Sequence, residues 1–89
     1  MAFAGMTVAQ DVYTAGYYTK SNGLHVAAVY KNGTKLHEMN GSYNYESTGV
    51  VVYNGDVYWV KNAMSASNTS EYLFGDVMKN NSIYLKINY

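Results

Sequence analysis

Two histidines, His25 and His37, six carboxylates, a scatter of serines and no cysteine are the reactive side chains of this 89-residue chain. Nucleophilic catalysis needs a nucleophile, a base and a group that orients the base. No serine sits in a Gly-x-Ser-x-Gly elbow, and thiol chemistry is excluded because there is no cysteine. Glycoside hydrolysis needs a carboxylate pair at a set separation. Glu46, Asp56, Glu71 and Asp76 show no pairing of that kind along the chain. Two isolated histidines are too few for a histidine-rich metal site, and no phosphate-binding loop or dinucleotide fingerprint occurs. The expectation is a protein that is not an enzyme and carries neither cofactor nor metal. Each histidine is then a hydrogen-bonded or surface group. Asp11 and Asp56 follow tight turns, where a carboxylate accepts backbone N–H bonds.

Binding chemistry is better represented. The chain holds 11 tyrosines and 10 asparagines. A tyrosine offers a flat apolar ring with a hydroxyl, and an asparagine offers a donor and an acceptor together. Tyr43, Asn44, Tyr45 and Asn62 fall in the longer connections between strand-like runs, and Tyr18 and Lys61 flank them. Trp59, the single tryptophan, falls inside a strand-like run. These seven residues are the candidate ligand-binding set, and the ligand they suit is a sugar ring or a polar protein surface. Against this stands a plainer reading, in which the loop residues solubilise and the aromatic rings, Trp59 included, pack between sheets. A formal charge of zero and the absence of arginine argue against nucleic acid, which needs a cationic surface. No apolar run reaches the roughly 18 residues of a membrane span. The first residues, Met-Ala-Phe-Ala-Gly-Met, lack the basic region of a signal peptide. The sequence points to no compartment. Four Asn-x-Ser/Thr sequons, at Asn32, Asn40, Asn68 and Asn80, read as by-products of turn chemistry.

The elements that must position these residues are strands. Asn-Gly recurs at Asn22-Gly23, Asn32-Gly33, Asn40-Gly41 and Asn54-Gly55. That pair is the strongest short-range hairpin signal, because type I′ turns need positive φ at both central residues. Strands are expected over Phe3–Ala9, Asp11–Thr19, Leu24–Lys31, Thr34–Met39, Gly49–Tyr53, Asp56–Asn62, Glu71–Lys79 and Ser82–Asn88. Val50-Val51-Val52 reads as an innermost strand covered on both faces. The halves repeat. Asp11-Val12-Tyr13 returns as Asp56-Val57-Tyr58, and Val29-Tyr30-Lys31-Asn32 as Val77-Met78-Lys79-Asn80. The unit is four strands, with unit one over residues 1–43 and unit two over 44–89. Tight turns fall at one end of each unit and longer loops at the other.

A four-strand repeat of about 40–45 residues is the sequence signature of a propeller blade. The runs Asp11-Val12-Tyr13-Thr14-Ala15-Gly16 and Val29-Tyr30-Lys31-Asn32-Gly33-Thr34 resemble the tandem repeats of bacterial β-propeller proteins that read roughly DVYVAG…KYWKNGT. The resemblance covers most of the first unit. The second departs from it in Asp56-Val57-Tyr58-Trp59-Val60-Lys61, where Ala-Gly would stand in place of Val60-Lys61, and at Asn80-Asn81, where Asn-Gly would stand. It implies an all-β fold of two four-stranded antiparallel blades per chain and no particular activity. Closed propellers hold about four to eight blades, so two blades need sister chains. A homotrimer with six blades is favoured over a dimer or tetramer, by architectural analogy with two-blade propeller lectins that trimerise. The rival fold is an immunoglobulin-like β-sandwich. The function expected is a non-catalytic binding module with repeated shallow sites, lectin-like and directed at carbohydrate. The alternatives are a structural or protein-interaction component of a surface or virion, or an excised or engineered propeller fragment that only self-assembles.

Overall fold

The computed structural model describes residues 10–39, 41–65 and 72–87. Every regular element among them is a strand: β1 (Tyr13–Thr19), β2 (His25–Lys31), β3 (Thr34–Met39), β4 (Asn44–Glu46), β5 (Val50–Tyr53), β6 (Asp56–Met64), β7 (Phe74–Lys79) and β8 (Ser82–Ile87). All pairings are antiparallel. The first sheet runs β1-β2-β3. The second runs β4-β6-β7-β8, with β5 also on β6. The expected first strand, Phe3–Ala9, lies outside the described residues.

Both sheets are meanders of consecutive strands, so the crossed-over connectivity of an immunoglobulin-like sandwich is not what joins the described strands. β4 is an element the sequence does not announce. Residues 40–48 read as a loop, yet Asn44, Tyr45 and Glu46 pair with Met64, Ala63 and Asn62. β4 and β5 occupy one strand position along β6, broken at 47–49 where the pairing register slips by one residue. The valine run differs from expectation too. β5 lies at the edge of its sheet, and Val51 is 62% exposed. Among the described residues no strand pairs along its outer side.

Turn chemistry follows the asparagines. Asn32, Asn54 and Asn80 hold φ of 54°, 51° and 55°, with Gly33 and Gly55 following at 84° and 81°. Asparagine tolerates this left-handed region better than other non-glycine residues. Asn22-Gly23 is different: only Gly23 has positive φ, and Asn22 Oδ1 caps the loop by accepting from Leu24 N at 3.0 Å.

The repeat in sequence is a repeat of hydrogen bonds. Val12 N donates to Asn32 Oδ1 at 2.9 Å, and Asn32 Nδ2 donates to Asp11 Oδ1 at 2.9 Å. In the second sheet Val57 N donates to Asn80 Oδ1 at 2.9 Å, and Asn80 Nδ2 donates to Asp56 Oδ1 at 3.0 Å. Each asparagine N–H also reaches the same valine's carbonyl, at 2.8 Å for Asn32 and 2.7 Å for Asn80. Lys31 and Lys79 sit 3.7 Å and 3.8 Å from Asp11 and Asp56, and each lies 5.9 Å from the ring of Tyr13 or Tyr58. The aspartates thus clamp a side-chain amide across the sheet, not the local backbone N–H groups expected after a turn. Matching register shifts follow, between Val29 and Tyr30 and between Val77 and Met78.

Asn80→Ala removes two side-chain bonds and places alanine at a left-handed φ. It is expected to cost about 2–3 kcal/mol by urea denaturation, from one unmet backbone donor plus strain. Asn32→Ala should cost less, because its clamp is exposed and water replaces the lost partner. Asn80→Gly retains the φ and should recover the strain share alone.

The core lies between the sheets. Ala27 and Val29 of the first sheet join Tyr45, Val57, Trp59, Ala63 and Met78 of the second, with Tyr13, Met39, Val50 and Phe74 packed at the margin. Along β6 the odd-numbered residues from Val57 to Ala63 are all buried, which marks the face turned to the first sheet.

Candidate functional site

Five of the seven expected binding residues are held inside this packing. Trp59 is 1% exposed, and its indole N–H donates to the Asn80 carbonyl at 2.8 Å. Asn44 is buried, accepts from His25 N at 2.7 Å and donates to the Ser65 carbonyl at 2.9 Å, which ties β4 to both sheets. Asn62 is also 1% exposed and donates to Thr48 Oγ1 at 2.9 Å across the break between β4 and β5. Lys61 pairs with Asp76 at 2.9 Å, both buried, and lies 5.0 Å from the Tyr45 ring. Tyr45 is buried beneath Lys61 and meets Tyr43 edge-on at 6.2 Å. All five are buried and offer little surface to a ligand.

Burial holds the Tyr45 hydroxyl above the ordinary phenol pKa, with Tyr43 and the charge of Asp76 adding to the effect. A pKa raised in the folded state gives stability that is complete below the unfolded value of about 10 and is lost as pH rises through the folded one. The chain should therefore lose stability above about pH 10, and Tyr45→Phe should flatten that limb of the curve in unfolding measurements.

The two remaining candidates are more open and stand apart. Tyr43 is exposed at the loop end, its ring edge-on to Phe74 at 5.3 Å. Tyr18 is half-buried on the face of the first sheet turned away from the second. Its hydroxyl donates to Glu38 at 2.8 Å, and Lys35 lies 4.6 Å over its ring. The bond to Glu38 raises its pKa, with burial adding.

Sequence reasoning missed one cluster at the loop end. Tyr17, 47% exposed, stacks on His25 with centroids 4.2 Å apart and 16° between planes. His25 Nδ1 lies 2.9 Å from Glu46 Oε2. One signal was present. Thr19 pairs with His25 across the Asn22-Gly23 loop, and Tyr17, two residues earlier, shares that face. Glu46 arrives on β4, the strand the sequence does not announce. His37 meets Asn81 at 2.8 Å, near the tight turn joining β7 and β8. Among the described residues no three His, Asp or Glu side chains converge as metal ligands would.

A second feature is a surface. Val51, Tyr58, Val60 and Val77 lie on the face of the second sheet turned away from the first, by their cross-strand registers. With Gly49 they line an apolar groove of about 210 Å³. Val51, Tyr53, Tyr84 and Leu85 stand exposed around it. Tyr84 packs edge-on to Tyr58 at 5.5 Å.

No family model, curated protein or solved structure matches this chain.

Proposed function

We propose that this chain is a non-catalytic, self-associating binding module whose working form is a closed ring of sheets. The observation that carries the reading is the apolar outer face of the second sheet, with Val51, Tyr53, Tyr84 and Leu85 exposed together. Scattered apolar residues are ordinary on a surface, whereas a contiguous set on one face marks an interaction site. Fully covering a leucine or valine side chain is worth about 1.5–3 kcal/mol. A small chain without disulfides has reason to use such a face. With two sheets per chain, propeller-like closure takes two, three or four chains, and three is the number we assign. Size-exclusion chromatography tests this. The native chain should elute as an oligomer, and Leu85→Lys should shift it toward the monomer without loss of strand content by circular dichroism.

Carbohydrate is the ligand favoured for the loop end, on the strength of Tyr17. Tyr17 is 47% exposed and so offers ring surface to a sugar's C–H face, and Glu46, bonded to the stacked His25, offers a carboxylate to hydroxyls. Repetition around a ring raises weak single-site affinity. Tyr17→Ala should abolish binding on a glycan array while leaving oligomer size unchanged. Binding that survives this variant would remove the site from the loop end.

A further inference from the structure

We propose that the chain associates head to tail, the outer face of its second sheet covering the outer face of another copy's first sheet. This deepens the self-association reading and rests on it.

Each face of the second sheet has a counterpart in the first, fixed by the shared asparagine clamps and the matched register shifts. Tyr58, Val60 and Val77, on the open face, correspond to Tyr13, Ala15 and Val29. In the first sheet that face is not open. Val29 is fully buried and Tyr13 is packed at the margin of the inter-sheet core. What covers it is the inner face of the second sheet, built on Val57, Trp59 and Met78. So the surface exposed at one end of the chain is, in kind, the surface already covered in its middle.

The same correspondence identifies the cover. Val57, Trp59 and Met78 have as counterparts Val12, Thr14 and Tyr30. Thr14 pairs with Tyr30 across β1 and β2, so the two share a face, the one turned away from the second sheet. Val12, just ahead of β1, is exposed in the single chain, and so is Thr14. Farther along that face Val26 and Ala28 are already fully buried and Tyr18 reaches across to Glu38, so the part left for another copy is the end at Val12, Thr14 and Tyr30. Met78 is fully buried between the sheets, so its counterpart Tyr30 is the side chain placed to enter the groove at Val60 and Val77 of the next copy.

An interface of this kind is heterologous: two different patches meet, and repetition of one rotation closes a ring. A two-fold dimer would instead place identical patches against each other. The two are separated by blocking each face in turn. Val51→Glu with Leu85→Glu charges the second sheet's outer face, and Val12→Glu with Thr14→Glu charges the first sheet's. All four positions are exposed, and circular dichroism with Trp59 fluorescence checks that each variant is folded. Single substitutions, Leu85→Glu and Thr14→Glu, serve if a double variant is not.

Each blocked variant should be a monomer alone by sedimentation velocity. An equimolar mixture should form a one-to-one dimer that grows no further, because one intact pair of faces remains. Two monomeric variants that stay monomeric on mixing would overturn the proposal. So would self-association of the variant blocked only on the first sheet, which would signify a two-fold contact and leave the self-association reading standing. A native chain that is monomeric at every concentration would overturn both.

Discussion

Trp59→Ala is expected to shift the urea midpoint of unfolding far below that of the native chain. The side chain is the largest in the core, 1% exposed, and it touches both sheets through the inter-sheet cluster. Truncating a buried tryptophan costs about 3–5 kcal/mol through lost transfer energy and the cavity left behind. The Asn80 carbonyl also loses its indole donor. Against this, a chain of this length has a total stability of about 4–13 kcal/mol at 0.05–0.15 kcal/mol per residue. Trp59→Phe keeps most of the volume and loses the bond, so a cost of about 1–3 kcal/mol is expected. Urea denaturation followed by far-ultraviolet circular dichroism reads both. A Trp59→Ala chain with a native midpoint would mean that the two sheets do not depend on each other.

The second large effect concerns Lys61 and Asp76. Both are buried at the inter-sheet core, 2.9 Å apart, with Asp76 Oδ1 also 3.5 Å from the exposed Lys86. Removing one member of a buried ion pair strands the other, at a cost of about 3–5 kcal/mol, while replacing both with apolar groups is often neutral or stabilising. Asp76→Leu should be the worse single change, because among the described residues it leaves Lys61 the Tyr45 ring, whereas Lys61→Met leaves Asp76 with Lys86. The double variant should recover most of the loss. A double-mutant cycle on unfolding midpoints measures the coupling, and additive single effects would show that the pair is not electrostatically linked.

Much of the fold is legible in the sequence where local rules act. Asn-Gly at 32–33 and 54–55 needs only backbone sterics, and both turns take the expected positive φ values. The recurrence of Asp-Val-Tyr and Lys-Asn becomes the same cross-strand clamp in both sheets. What local rules do not carry is tertiary. β4 exists because Asn44 reaches His25 and Ser65, partners far from it in sequence. The binding role expected of Asn44, Tyr45, Lys61 and Asn62 followed from loop-like composition, yet with β4 paired on β6 all four are buried. The run Val50–Val52 reads as covered strand because residue type records burial in the working form, which sister chains complete in our reading. Tyr17, His25 and Glu46 meet through a loop and a strand that no single sequence window contains.

The most direct test of that reading is native mass spectrometry of the full chain across a concentration series. A three-chain ring gives a dominant species at three times the 9.9 kDa chain mass, falling to the single chain when Val51 and Leu85 are both replaced by glutamate. A folded species that stays at the mass of one chain, with the outer face of its second sheet bare, would contradict it.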